Sequence, residues 1–454
     1  MHSDLNGLRG QLEAIVGGAQ VLEGAARTAA FAVDGILPEL VVRPGTQQEV
    51  AQVVAACARV GAAMIPWGEG TAIGLGNPPA RAQVVVQMGR LNRMVEWDPA
   101  NLTVTAEAGM RLADLQETVA RSGAILPLDP PSDHKVSLGG LVAANQNGPS
   151  RLRYGTVRDW LLGLRVVLPD GQPIHCGGRV IKNVSGYDMN KLFIRSLGTL
   201  GIITEVTFKL LPMPAQWAGA IGLFPGLDGP RAAVRETLAS FLLPESIDLL
   251  NPEAVELLAP ALTLAPAPGS WGLAVALAGS PETVARQARD FAALFQAHGG
   301  TLVPVLPGQT GRTWKAVRNL LDAAQPDNPA RILCKITVPI ARTSDLVASA
   351  SEQGRFGGLR AAVMAYAGSG VIWALYLPAM GALPGASTAA ALEALRAEAV
   401  AAGGSLEIHG APPPLKRQVD AWGAGDSGLA MMRRLKQEFD PRGVCNPGRF
   451  VGGI

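Results

Sequence analysis

The chain has 454 residues, of which 48% are apolar and 17% charged, and its net charge is +2. That is enough apolar material for two or three domains, and it excludes a disordered chain or a coiled coil. No basic run tracks a nucleic-acid backbone, which argues against nucleic acid as a partner, and no apolar run reaches the roughly 18 residues a membrane-spanning helix needs.

The opening MHSDLNGLRGQLEA is polar and amphipathic, unlike the basic end and apolar core of a secretory signal. Residues 1–40 are expected to form an N-terminal helical segment. From residue 41 to 212 strands and helices alternate. TQQEVAQVVAACARVG reads as a helix: Thr46 and Glu49 make a capping box, Val50, Val53, Val54 and Cys57 make the buried stripe, and Gly61 ends it. AAMIP then reads as a short buried strand that runs into PWGEGTAIGLG, residues 66–76. AQVVVQMG and LTVTAEAG are strand-like, RLADLQETVARSG is helical, and LLGLRVVLPDGQPIHCGG reads as two strands joined by a Pro-Asp-Gly turn. GIITEVTFKLLP is a strand that stops at proline.

After Pro212 the composition shifts, and PMPAQW looks like a linker. Residues 213–403 read as a second α+β domain, its sheet covered on one side. Residues 404–454 hold a strand and then GLAMMRRLKQEFDPRGVCNPGRF. Cys57, Cys176, Cys334 and Cys445 lie far apart, which suits a reducing cytoplasm better than a disulfide framework, and neither they nor the five histidines have metal-ligand spacing. No metal is expected.

Bare backbone amides in a glycine-rich turn form a nest for an anion, usually a phosphate. The loop at 66–76 lacks the Gly-Lys-Ser/Thr of a P-loop. It fits a Rossmann loop poorly, because Ile73 stands where the third glycine belongs and Asn-Pro-Pro follows where a helix should run. A third kind of loop, following a strand without opening a helix, fits; a plain surface turn is the alternative. Two more glycine-rich segments shift the balance: PLDPPSDHKVSLGGLVAANQNGPSRLRYGTVRD at 127–159 and KNVSGYDMNKLFIRSLGTLGIITEV at 182–206. Three such connections at strand ends would line one groove long enough for a dinucleotide.

Together these segments resemble the vanillyl-alcohol-oxidase-type flavoproteins, also called the p-cresol-methylhydroxylase (PCMH) type. Pro-x-Gly-x-Gly-Thr at 66–71, SLGGLVAAN, YGTVRDWLLGLRVVLPDG, GTLGIITEVTFKLLP and FDPRGVCNPGRF follow in the family's order. PLDPP, GGRVIKNVSGYDMNKL, SLGTLGIITEV and the tail GGSLEIHGAP are most similar to the FAD-binding E subunits of glycolate oxidases. The resemblance implies an α+β fold: a PCMH-type FAD-binding domain of two α+β subdomains at 41–212, a cap domain at 213–403, and a closing segment at 404–454 that returns to the FAD domain.

It also implies FAD, and non-covalent FAD, since no histidine lies in or beside the first loop. Pro66, Trp67, Gly68, Glu69, Gly70, Thr71 and Ala72 would hold the pyrophosphate. Ser137, Leu138, Gly139, Gly140 and Ala143 would pass close to the cofactor; Asn145, Gly148, Gly155 and Asp159 would follow the groove, Asp159 capping or bracing its loop; Gly201 and Ile203 would pack against it. Lys182, Asn183, Tyr187 and Asn446 are candidates for polar groups near the flavin ring, or else turn residues. Glu407 and His409 share one face of a strand and can pair locally, although His409 also reads as an ordinary tail residue.

Catalytic relatives that act on D-2-hydroxy acids commonly carry Gly-Glu-His-Gly and further metal-binding histidines, and related subunits have glutamate where Leu197 stands. Both departures put turnover by this chain alone in question. The resemblance implies a cytoplasmic FAD subunit of a glycolate-oxidase-like complex, acting on a small 2-hydroxy acid with a paralogous FAD-binding catalytic subunit and an iron–sulfur subunit, peripheral to the inner membrane through those partners. A free-standing flavin oxidoreductase and a non-catalytic scaffold subunit remain the alternatives.

Overall fold

Thr46 Oγ1 accepts the amide hydrogen of Glu49 at 3.1 Å, and Gly61 closes the helix Gln47–Val60 with φ 68°. The returning bond reaches one residue further back than a capping box requires, from Gly45 N to Glu49 Oε2 at 2.7 Å. Val50, Val53, Val54 and Cys57 are fully buried on the stripe the periodicity predicts. The computed structural model describes residues 2–178, 187–263, 265–303, 305, 308–325, 328–352, 356, 358–378, 385–423 and 428–454.

Strands β1 (Val21–Glu23), β2 (Leu40–Val42), β3 (Met64–Trp67) and β4 (Val84–Gln87) form a sheet in the order β1-β2-β4-β3. β2 and β3 both run parallel to β4, and β1 is antiparallel to β2. The stretch 1–40, expected to be helical, therefore contributes a strand as well as the helix His2–Val16. A second, antiparallel sheet contains β5 (Met94–Asp98), β6 (Thr103–Glu107) and, beyond the short β7 (Ala124–Ile125), β8 (Leu161–Val167), β9 (Pro173–Gly177) and β10 (Ile202–Lys209), in the order β5-β6-β10-β8-β9. β11 (Leu211–Pro212) pairs with β7.

The remaining strands, β12 (Gln216–Phe224), β13 (Ser246–Leu250), β14 (Trp271–Gly279), β15 (Thr301–Val303), β16 (Ile332–Thr337), β17 (Arg360–Tyr366), β18 (Val371–Leu377) and β19 (Ser405–Gly410), build one antiparallel sheet. Its order is β15-β12-β14-β13-β17-β18-β16-β19. The expectation of a sheet covered on one side is corrected here. Alternate residues enter two separate cores: Leu273, Val275 and Val363 pack with the helix Pro281–Ala297 and its neighbours, whereas Ala274, Ala362 and Met364 pack with the helices Pro252–Leu262 and Thr310–Ala323. A strand buried on both faces has no polar alternate positions, and WGLAVALAG shows none.

β19 falls within the stretch assigned from sequence to the returning segment, yet it is the edge strand of this sheet, with Glu407 opposite Lys335 of β16. Further on, Met64 N donates to Val444 O at 2.7 Å and Asn446 N donates to Met64 O at 2.8 Å, so residues 444–446 lie along β3. The fold class is α+β.

Candidate active site

β3 delivers the chain into the glycine-rich loop. The bareness of that loop is required by what surrounds it: a Cβ on Gly68 would stand 2.0 Å from Ser137 Oγ, and one on Gly198 (φ 71°) would stand 2.8 Å from Pro66 Cγ. Ser137 is itself committed, since its Oγ accepts from Gly140 N at 3.3 Å and caps the helix Leu138–Ala144. The three glycine-rich connections therefore touch one another.

The loop is held from beneath by a buried ion cluster. Lys416 Nζ lies 2.8 Å from both oxygens of Asp34 and donates to Gly74 O at 2.8 Å. Arg449 pairs with Asp34 at 2.8 Å and donates to the carbonyls of Ile73 and Leu75. Burial drives the Lys416 ammonium down to about 8, against the pull of Asp34.

Above the loop lies a cavity of about 790 Å³. Pro66, Trp67, Gly68, Glu69, Gly70, Thr71, Ala72, Ser137, Gly139, Gly140, Ala143, Gly201, Ile203 and Asn446 line it, together with residues the sequence reading passed over: Met88, Ala108, Ala144, Leu197, Gly198, Ile202, Ile73 and Arg449. No described group accepts from the backbone amides of residues 68–72. Asn446, in the left-handed region at φ 45°, donates to Leu197 O at 2.6 Å and leaves its buried Oδ1 without a partner. Free amides, a cradle that one added carbon would fill and an orphaned acceptor fit FAD, and these residues would hold it. Among the described lining residues there is no histidine or cysteine.

Other candidates fall elsewhere. Leu138 is fully buried in the core behind its helix. Gly148 is pressed against Asp129, whose carbonyl oxygen would lie 1.8 Å from an added Cβ. Asp159 Oδ2 accepts from Thr156 N at 2.7 Å, capping a short helix beside Gly155; neither lines the cavity. Tyr187 is 94% exposed and lines neither cavity. Lys182 and Asn183 lie outside the described residues.

A second cavity, about 980 Å³, shares Thr71, Ala72 and Ala144 with the first. Its far wall is the face of the large sheet that carries Lys335, Tyr366, Trp373, Glu407 and His409; the near wall supplies Asn145, Gln146, Arg151 and Arg195, and the helix Thr310–Ala323 supplies Arg318 and Asp322. His409 Nε2 lies 3.3 Å from Glu407 Oε2, and Arg195 makes a short ion pair with Glu407 Oε1. Burial raises the Glu407 carboxyl, but the bond to His409 and the charges of Arg195 and Lys335 outweigh it and hold the group at about 2. Burial lowers the His409 imidazole to about 4 and Lys335 to about 8. With Glu407 ionised, His409 Nε2 carries the proton it shares, which leaves Nδ1 as the acceptor of a neutral ring. Gln146 Oε1, Arg318 Nε, Tyr366 OH and Trp373 Nε1 are buried here without partners. The strand alternation allows His409 to pair with Glu407, but the sequence favours reading His409 as an ordinary tail residue; the structure makes the pair. The cations were not visible in the sequence, apart from the oddity of a lysine in the middle of the apolar strand ILCKIT.

This is the architecture of a PCMH-type flavoprotein: p-cresol methylhydroxylase superposes with a TM-score of 0.78 at 18% identity, over 99% of this chain and 97% of that one. Residues 38–177 match the FAD binding domain, and residues 216–450, more than half of the chain, match the C-terminal domain of FAD linked oxidases. The chain belongs to the FAD-linked oxidases, and its cofactor is FAD. It is 28% identical to glycolate oxidase subunit GlcD of Bacillus subtilis over 91% of this chain and 89% of that one. It is 26% identical to a D-lactate dehydrogenase of Anaerostipes hadrus over the same shares. The first of these carries the D-subunit name, whereas the likeness read from sequence was to the E subunit. No described helix is long and apolar enough to cross a membrane.

Proposed function

We propose that the chain oxidises a 2-hydroxy acid of the glycolate or D-lactate kind at the junction of the two cavities. The observation that carries this reading is the junction itself: a glycine-bare cavity suited to FAD opens at Thr71, Ala72 and Ala144 into a cavity furnished with cations and a neutral imidazole. FAD, when bound, supplies a two-electron acceptor. The rest belongs to the protein. A substrate carboxylate needs a cation, and Lys335 and Arg151 lie in the wall. The substrate hydroxyl must lose its proton, and His409 Nδ1 is the available acceptor, with Glu407 fixing the ring and stabilising the charge it gains. Glu407 is in turn held by Arg195, so the pair is oriented before substrate arrives.

We further read the chain as one cytoplasmic flavoprotein subunit of a glycolate-oxidase-like complex, beside a paralogous FAD-binding subunit and an iron–sulfur subunit that takes the electrons onward. The likeness to a relative named as a subunit supports this. The free-standing enzyme is the second reading, favoured by a pocket whose acid–base pair comes entirely from this chain. Tagged protein purified from its source tests the choice. Co-purification of a second flavoprotein and an iron–sulfur protein supports the complex, and a lone chain that passes electrons from D-lactate to a dye overturns it.

A further inference from the structure

Of the four cations that line the second cavity, two have no ion-pair partner among the described residues, while the Asp322 carboxylate in the same wall accepts from Ser132 Oγ at 3.0 Å. Arg195 is neutralised by Glu407 and lies against the Trp422 ring, its guanidinium carbon 5.5 Å from the centroid. Arg318 is paired with Asp133 at 2.8 Å. Arg151 and Lys335 are different. Neither makes an ion pair or side-chain hydrogen bond with any described residue, and both stand in the wall of the same cavity. Lys335 lies over the Trp373 ring, 5.8 Å from its centroid, with the more distant charge of Glu407, and Arg151 has the more distant charge of Asp159.

The two cations come from opposite walls. Arg151 opens the short helix Arg151–Tyr154 of the FAD-binding half, and Lys335 sits on β16 of the cap sheet. The Arg151 charge disfavours the charged form of Lys335, so the two share one field. Leaving two partly desolvated cations unpaired is costly unless a ligand supplies the missing anions. One carboxylate answers one of them. Around Arg318, the buried Nε without a partner and the unpartnered Tyr366 hydroxyl add donors on the same side.

Resting on the 2-hydroxy-acid reading above, we propose that the preferred substrate carries a second anionic group, a carboxylate or a phosphate ester, with Arg151 and Lys335 each taking one anionic end. The reaction is then balanced as follows. The C2–H bond breaks and its electron pair leaves with the hydrogen to FAD; the hydroxyl proton passes to His409 Nδ1; the C2–O bond becomes a carbonyl, giving a 2-oxo acid that keeps both anionic groups. The oxidant is FAD, which is reduced by two electrons.

The test is anaerobic stopped-flow reduction of the FAD-loaded chain by D-lactate, D-malate, D-2-hydroxyglutarate and 3-phospho-D-glycerate, in the wild type and in Arg151→Gln. The expected result is a second-order rate constant at least tenfold higher for one of the three dianionic acids than for D-lactate. The two carboxylate acids and the phosphate ester show which anion the far end takes. In Arg151→Gln that ratio falls at least tenfold while flavin content is retained. D-lactate reducing the flavin as fast as every dianionic acid overturns this proposal and leaves the 2-hydroxy-acid reading standing, and an unchanged ratio in Arg151→Gln overturns the assignment to Arg151. Reduction by none of the four acids overturns both.

Discussion

Arg449 and Asp34, 415 positions apart in sequence, meet through a 2.8 Å contact between Nη1 and Oδ2. Asp34 also takes Lys416, whose side chain is fully buried, and the two cations also donate to the carbonyls of Ile73, Gly74 and Leu75. One carboxylate from the start of the chain and two cations from its end therefore fix the far side of the glycine-rich loop, leaving its near side free to face the cavity.

Asp34→Asn should be strongly destabilising, because it leaves two buried cations without an anion. A loss of about 3 kcal/mol is expected. Denaturant melts measure the loss, and flavin content measured alongside should fall, since the loop that shapes the cavity loses its anchor.

Gly68→Ala should cost FAD rather than fold. The added methyl lands 2.0 Å from Ser137 Oγ, so either the loop or the helix cap must shift. The ratio of flavin absorbance to protein absorbance should drop at least tenfold, with circular dichroism unchanged. Retention of full flavin content would contradict the close approach of the two connections.

His409→Gln should slow flavin reduction by substrate about 100-fold, the usual worth of a general base, with flavin content intact. The pH profile adds a signature that a merely structural residue would not move. Below about pH 4 the imidazole is protonated and cannot accept the hydroxyl proton. Above about pH 8 the Lys335 cation is lost, so the apparent affinity for the acid should weaken as pH rises. Lys335→Met should abolish the alkaline limb and spare the acid one.

Asp248 makes a prediction about stability. It is fully buried on β13, Oδ2 accepts from Ser246 Oγ at 2.8 Å, and Oδ1 has no partner; burial pushes its carboxyl up to about 8. In the unfolded chain an aspartate loses its proton near pH 3.9. The folded state thus holds the extra proton between about pH 4 and 8, and stability from this group is lost as pH rises through that window. Asp248→Asn should flatten this slope and melt above the wild type at pH 9. Parallel pH curves for the two proteins would show that Asp248 is already ionised.

What the sequence made legible was local. Thr46 and Glu49 announce a helix start because their side chains reach amides only three or four residues away. Gly68, Gly70, Gly139 and Gly140 announce a cradle because close approach forbids a Cβ. Glu407 and His409 announce a pair because a strand repeats every two residues. Arg151 and Arg195 announce nothing and Lys335 shows only as a lysine in an apolar strand, since a helix start, a tight turn and a sheet strand bring them to one cavity only after residues 332–337 have found β18 and β19. The second covered face of the large sheet left a trace in the uninterrupted apolar run of β14, which a one-sided reading overlooks. Asp34 gives no sign at all, because its partners lie more than 380 positions away.

The most direct measurement is an anaerobic titration of the purified, FAD-loaded chain with D-2-hydroxy acids, following the visible flavin band and identifying the product. Bleaching in proportion to added acid, with one 2-oxo acid formed per flavin reduced, is the expected result. A flavin that stays fully oxidised in the presence of every such acid, while dithionite still bleaches it, would contradict the assignment of the cation-lined cavity as the place where this chain oxidises its substrate.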